Sequence, residues 1–470
     1  MTPFPRSLVE LDACVARDLD CLNLPAGRWL PDVTIAGETV PDVVVIGGGM
    51  AGLAASAALG HMGVRVIAFD ARPKGFEGPW ATTARMRTLR SPKTLTGPAL
   101  GVPSLTFRAW FTAQFGDEAW SRLDKIPRLQ WMDYLRWYRE VLALDIRNDH
   151  RVLDVIPHPD HVELHVEGPD GPLTVRPRRV VLAAGRDGLG GPALPPLADD
   201  LSRGVWAHSS DDNDYAALAG LRVAVIGAGA SAMDSAATAL EAGAARVDLL
   251  IRRADLPRVN RGMAMGNPGS VNGMRDLPDR WKWHLQTTLA DAQVPPPRAS
   301  VLRVSAHDNA TFHLGTALES ARMEGDEVVL ETTLGARRYD FVIFATGFKV
   351  DWSQKPFLAR LAGMARTWAE RIAPENGLSY PTLLDLPDLG PGFEFLPKPE
   401  AENLGVENVR CFCYPAVMSH GNISGDIPAI SDGAQRMARN IVAGLWAEDI
   451  EYHHRRMVEH DIPEIFGDEW

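Results

Sequence analysis

Two stretches of the chain share one order of apolar and polar positions. Val43–Ile46 is an unbroken aliphatic run (VVVI). A glycine-rich turn (GGGMAG), a stretch of small and apolar residues, and a second aliphatic run ending at Asp70 follow it. The same order returns at Val223, where VAVI leads into GAGASA, another small-residue stretch and VDLLIRR, ending at Arg253. Short aliphatic runs without alternation predict strands buried on both faces, and the longer stretch between them predicts a helix. Each unit therefore reads as strand, tight turn, helix and parallel strand. Elsewhere, Leu129, Met132, Leu135, Tyr138 and Leu142 are spaced for one face of a helix over residues 126–144. HVELHVEG alternates as a half-buried strand, and VRPRRVVLAAG ends in a buried one. EVVLETTLGARRYDFVIFATGF predicts a hairpin followed by another buried strand, and HGNISGDIPAISDGAQRMARNIVAGLW predicts a C-terminal helix. Residues 1 to about 40 read as a leader with one short helix. Two irregular segments stand out, Arg72–Phe107 and Ala254–Pro297. Long irregular segments in compact domains are functional or disordered, and Trp80 with its neighbouring arginines favours function in the first.

The two turns carry dinucleotide chemistry. In the first, Gly47 permits the tight turn, Gly49 allows a pyrophosphate to approach the backbone, and Gly52 lets helix and strand pack closely. The first turn of the helix, with Met50 and Ala51, presents unpaired N–H groups to the diphosphate. Asp70, followed by Ala71, ends the second strand, where a carboxylate accepts hydrogen bonds from ribose hydroxyls and repels a 2′-phosphate. In the second turn Gly227 and Gly229 are followed by Ala230, Ser231 and Ala232. Alanine at the last position still permits close packing, and Ser231 can donate to phosphate. The strand then ends in Arg252 and Arg253, whose planar, permanent charge suits a phosphomonoester. Two sites with opposite charges at the ribose end predict FAD in the first and NADPH in the second.

Composition narrows the partners. The 470 residues suffice for two or three domains. A formal net charge of -12 argues against nucleic acid or an anionic membrane as partner. Cys14, Cys21, Cys411 and Cys413 form no C-x-x-C pair and no disulfide framework. The N-terminal stretch has no apolar signal region, and no uncharged run reaches membrane-spanning length. A cytoplasmic protein, monomer or homodimer, without a metal site, is expected.

With these motifs in place the chain resembles the class B flavin-dependent monooxygenases, the group of flavin-containing, Baeyer–Villiger and N-hydroxylating monooxygenases. The resemblance covers most of the chain. Gly78-Pro79-Trp80 is similar to the family's G-G-x-W element. Leu89-Arg90-Ser91-Pro92-Lys93 is similar to the loop that approaches the flavin, and Tyr134-Leu135 with Tyr138 to the Y-L-x-x-Y helix. Ala183-Ala184-Gly185 and Ala345-Thr346-Gly347-Phe348 match the two A-T-G linkers. Gly204 and His208 fit the linker motif before the second turn, but Ser202 replaces its Phe and Asp212 its final aromatic. Neither family subgroup can be assigned from that motif.

The resemblance implies an α/β fold of two Rossmann-like domains. An NADPH-binding domain (196–345) is inserted into a discontinuous FAD-binding domain (1–195 and 346–470). It also implies that NADPH reduces the flavin, that dioxygen adds to flavin C4a to give a (hydro)peroxide, and that one oxygen atom enters a small organic substrate. Nitrogen or sulfur is the expected acceptor. A Baeyer–Villiger oxidation and a quinone-type flavoprotein reductase are the alternatives, with a non-catalytic dinucleotide sensor further off. Positive charge near C4a would stabilise a peroxide anion; Arg85, Arg87, Arg90 and Lys93 are the candidates, most of them read as surface or phosphate contacts, with Lys93 and the neighbouring Ser91 kept for the role. His420 and Asn422 are expected to face the isoalloxazine, and Asp426 the ribityl chain. Trp110, Trp281 and Trp283 are offered as pocket lining.

Overall fold

The computed structural model describes residues 5–372 and 380–470. Along the chain the elements that position the site are α1 (Leu8–Cys21), β1 (Val43–Ile46), α2 (Met50–His61), β2 (Val66–Phe69), α3 (Phe107–Arg122), α4 (Arg128–Val141), β3 (Ile146–Arg147), β4 (Arg179–Leu182), β5 (Trp206–His208), β6 (Arg222–Ile226), α5 (Ala230–Glu241), β7 (Arg246–Ile251), α6 (Asp279–Ala292), α7 (Arg298–Ser305), β8 (Ala310–Leu314), β9 (Phe341–Phe344), β10 (Val409–Cys411), α8 (Val417–His420) and α9 (Ile430–Glu448).

Two five-stranded parallel sheets result. The first runs β10-β4-β1-β2-β3 and the second β5-β9-β6-β7-β8. The first gathers strands from both ends of the chain, so its βαβ unit is completed by residues that follow the second unit. Both central strands are buried, as uniform aliphatic runs require when helices cover both faces. The two sheets repeat one local geometry. Gly47 N–H donates to Phe69 O at 2.8 Å and Ala183 N–H to Ile46 O at 2.8 Å; their counterparts are Gly227 to Leu250 (3.2 Å) and Ala345 to Ile226 (2.9 Å). Small antiparallel sheets flank each half: Arg151–Pro157, Val162–Gly168 and Gly171–Val175 beside the first, Leu318–Glu324, Glu327–Thr332 and Arg337–Tyr339 beside the second.

Helix α2 is buried along almost its whole length and lies between the first sheet and α9. Its alanines allow that double contact, whereas one-sided amphipathicity would leave a polar face inside. In α4 the expected face holds at Met132, Leu135 and Tyr138, which are buried, but Leu129 is 54% exposed, and Trp131 and Tyr134 are buried as well. Pro127 caps the helix, so it starts at Arg128, and the aromatic positions turn inward. The Tyr134 hydroxyl donates to Leu105 O (2.7 Å) and that of Tyr138 to Pro98 O (2.6 Å). Burial pushes both phenols above their ordinary pKa. Among the described residues no helix is long and apolar enough to cross a membrane.

Candidate functional site: two nucleotide clefts and a shared arginine loop

At the first turn the helix N-terminus opens onto a cavity of about 350 Å³, lined by Gly48, Gly49, Lys74, Gly75, Phe76, Glu77, Arg136 and Arg139 among others. Gly47 adopts φ +109°, and a Cβ there would stand 2.6 Å from Ala183 O. A Cβ on Gly52 would run into the Gly47 carbonyl. Both positions therefore require glycine, and they bring the start of α2, with Met50, Ala51 and Gly52, tight against the turn. Asp70 Oδ2 accepts from Gly48 N–H at 2.7 Å and Oδ1 from Arg72 N–H at 2.8 Å. Burial lifts its carboxyl above the usual range against the pull of these two donors. Ala71 is exposed beside it. Glu77 is bound by Gly75 N–H, Arg139 and Asn148, which fixes the loop opposite the helix end. Cavity, N–H cradle and acceptor carboxylate fit the adenosine diphosphate half of FAD.

At the second turn Gly227 has φ +139°, and a Cβ there would strike Ala345 O. Gly229 caps α5, so Ala230 and Ser231 open the helix; Ser231 is exposed and Ala232 fully buried. Arg252 and Arg253 are exposed, and neither guanidinium has a hydrogen-bond or ion-pair partner among the described residues. Two free arginines beside a helix N-terminus fit the 2′-phosphate and diphosphate of NADPH. Thr346 is exposed at the linker after β9, and Gly347 (φ +83°) accepts from Ala193 N–H at 2.9 Å.

The Arg72–Phe107 segment is an ordered loop between these clefts. Arg128 reaches the carbonyls of Trp80 and Met86, and Leu89 N–H donates to Ile126 O at 2.8 Å. Trp80 itself is half-buried. Three loop arginines cross to the second unit, in keeping with the reading of most of them as contacts other than flavin ligands. Arg85 Nη2 donates to Asn213 O (3.3 Å) and lies 3.7 Å from Asp212. Arg87 pairs with Glu241 on α5 at 2.8 Å, and Arg90 donates to Pro295 O at 3.0 Å. Arg303 on α7 extends the connection to Glu241 and Asp234. Asp212, the departure from the family's linker motif, is thus the partner of Arg85. Sequence reasoning noted Asp212 as a departure from the linker motif without its partner, and missed Glu241 and Arg303, which no local motif marks.

Lys93 requires a second correction. Its ammonium donates to Trp120 O (2.7 Å) and Leu123 O (2.6 Å), the free carbonyls at the end of α3. It is a helix C-terminal anchor, with its donors engaged. Ser91 is half-buried, and its hydroxyl makes no hydrogen bond among the described residues.

His420 is completely buried. Its ring stacks on Phe393 at 3.8 Å and Nε2 lies 3.0 Å from Gly390 O. That contact fixes the Nε2–H tautomer and leaves Nδ1 without a partner. Burial pushes its pKa down to about 3, so the ring is neutral at physiological pH. The face of the ring is taken by Phe393, so of the two readings of His420, a residue facing the isoalloxazine or an ordinary structural histidine, its contacts match the second. Asn422 and Asp426 are exposed. Asp426 is open to solvent yet has protein on most sides. Burial raises its carboxyl, opposed by Arg186 and Arg90. His208 is buried, with Nδ1 2.6 Å from Ser210 Oγ and the ring edge-on to Phe348 beside Gly347. Trp110 belongs to the aromatic core around Phe107 and Tyr134, which corrects its reading as pocket lining. Trp281 is 50% exposed and Trp283 is buried against Trp368 and Met418.

Paired dinucleotide clefts with opposite ribose-end charges define an FAD- and NADPH-dependent oxidoreductase. Residues 41–265 match the family model described as pyridine nucleotide-disulphide oxidoreductase. The FAD-dependent urate hydroxylase of Xanthomonas campestris pv. campestris is 38% identical over 466 residues, spanning 98% of each chain. The ornithine hydroxylase of Pseudomonas aeruginosa has a TM-score of 0.66 at 18% identity, covering 87% of this chain and all of that one. The ornithine N-hydroxylase of Kutzneria sp. 744 has a TM-score of 0.65 at 17% identity, covering 86% and 99%. The flavin-containing monooxygenase of Stenotrophomonas maltophilia has a TM-score of 0.56 at 19%, covering 86% and 99%. At these identities the solved structures show the shared fold. The chain belongs to the class B flavin-dependent monooxygenases, and it is an FAD enzyme that takes its electrons from NADPH.

Proposed function

We propose that this monooxygenase hydroxylates urate or a closely similar oxidised purine, in place of the amine or sulfide expected from the sequence. The observation that carries this reading is identity with a urate hydroxylase along 98% of both chains.

The flavin, once reduced by NADPH, supplies the oxygen-activating chemistry. The chain's own residues do the rest. Asp70 and the start of α2 hold the adenosine end of FAD. Arg252, Arg253 and Ser231 hold NADPH. Asp426 orients the ribityl side, and the linkers at Gly185 and Gly347 set the angle between the clefts. The crossing contacts of Arg85, Arg87 and Arg90 keep the clefts apposed.

The test is consumption of NADPH by the purified yellow protein with urate, against amine, sulfide and ketone panels, with peroxide measured in each. Urate loss equimolar with NADPH and little peroxide is expected. Coupled turnover of an amine or sulfide, with urate untouched, overturns the reading.

A further inference from the structure

Of the seven lysines in the chain, the most buried is the one without a partner. Lys74, Lys349, Lys355 and Lys398 each hold a carboxylate, and Lys93 and Lys125 hold backbone carbonyls. Lys282, in the first turns of α6, is only 5% exposed and makes no hydrogen bond or ion pair among the described residues. Its Nζ lies 6.0 Å from the centroid of the Trp368 ring. Asp276, Asp279 and Asp388 attract it, but none forms an ion pair with it, and each is held by an arginine. Burial, first, and Arg371 lower the Lys282 pKa against that attraction. A largely buried lysine with no carboxylate in contact is costly, and such a cost marks a site built for a charge that arrives later.

The surroundings place Lys282 beside the chemistry. Helix α6 packs on α8, with Gln286 donating to Val417 O at 3.3 Å. α8 leads through Asn422 to Asp426 at the flavin side. Two more cations face this region. Arg436 on α9 donates to Val271 O at 2.7 Å and leaves Nη1 unpartnered, and Arg275 flanks the buried His420.

We propose that Lys282 is the anchor for the oxyanion of the substrate, recognising a planar organic anion whose charge replaces the missing carboxylate. This rests on the urate reading for the identity of the anion but not for the site itself. Urate is a monoanion at neutral pH, and a point ammonium beside the bound ring selects it over a neutral purine of the same shape.

The experiment uses the FAD-loaded protein and two probes, urate and benzoate, a planar monoanion unrelated to purines. Thermal shifts are measured for the wild type, Lys282→Met, Lys282→Arg and the control Lys398→Met. Benzoate is expected to stabilise the wild type, Lys398→Met and, more weakly, Lys282→Arg, but not Lys282→Met. Lys282→Met itself should melt no lower than the wild type, because it removes an uncompensated charge. With urate as substrate, its KM should rise about 10- to 100-fold, with the NADPH KM and FAD content unchanged. Benzoate shifts that are equal in wild type and Lys282→Met, or absent from both, overturn the proposal. If Lys282→Met yields no folded holoprotein, Lys282→Gln takes its place under the same criterion. A wild type that ignores urate but responds to benzoate through Lys282 removes the urate reading and leaves the anion site standing.

Discussion

Replacing Asp70 by asparagine tests the first cleft at its most constrained group. Both carboxylate oxygens already accept a backbone N–H, from Gly48 at 2.7 Å and Arg72 at 2.8 Å. Asparagine keeps one acceptor and turns an NH₂ toward the other donor. One N–H then faces a donor inside the cleft, and the negative charge that would accept from ribose hydroxyls is gone. Leaving such a group unsatisfied costs about 1–3 kcal/mol, and losing a charged acceptor adds a similar amount. The Gly48 N–H belongs to the turn that cradles the diphosphate, so the cost falls on bound FAD as well as on the loop. A weakening of FAD binding of about 10- to 100-fold follows, each 1.4 kcal/mol being tenfold. Flavin fluorescence quenching on titration of deflavinated protein measures it, with the melting temperature of the FAD-free protein as control. The reasoning is refuted if Asp70→Asn binds FAD as tightly as the wild type, or if a loss of affinity is matched by general unfolding of the FAD-free form.

Other expectations follow from the same geometry. Arg252→Ala should raise the KM for NADPH far more than that for NADH; equal effects would remove the 2′-phosphate assignment. Lys93→Met should lower stability by about 1–2 kcal/mol through the freed carbonyls of α3, seen as a lower denaturant midpoint, while kcat with saturating substrates stays near wild type. His420 is held neutral with its pKa pushed down to about 3, below an unfolded value near 6.5. Its contribution is therefore complete above about pH 6.5 and is lost as pH falls toward 3, by up to ~1.4 kcal/mol per pH unit. His420→Gln should flatten the acid limb of the stability curve in that window, as read by urea titrations at several pH values; an unchanged slope would show that His420 does not protonate on unfolding.

The two nucleotide units were legible in the sequence because every part of that motif is local. Strand, turn, helix and terminal charge lie within about thirty residues, and each glycine answers a contact inside its own unit or with the strand beside it. The roles of the loop residues were not legible, because partners distant in sequence decide them. Lys93 looks like a free charge until the end of α3 closes over it some thirty residues later. Arg85 and Arg87 remain candidates for the flavin until Asp212 and Glu241 are brought opposite. His420 has a ring-sized neighbour in Phe393, which no spacing rule connects to it. Helix α4 shows the same limit at short range: Met132, Leu135 and Tyr138 face inward as their spacing predicts, but the buried face also takes in Trp131 and Tyr134 and leaves Leu129 outside. The sequence DRWKWHL likewise records a lysine between tryptophans. Only packing reveals that Lys282 is buried with no carboxylate in contact.

The most direct test of the account is turnover of urate under isotope-labelled dioxygen with NADPH as reductant, followed by mass analysis of the first product. The account predicts one labelled oxygen atom per NADPH consumed, with little peroxide released. NADPH oxidation that returns all of the label as peroxide and water, with no labelled organic product from urate, would contradict it.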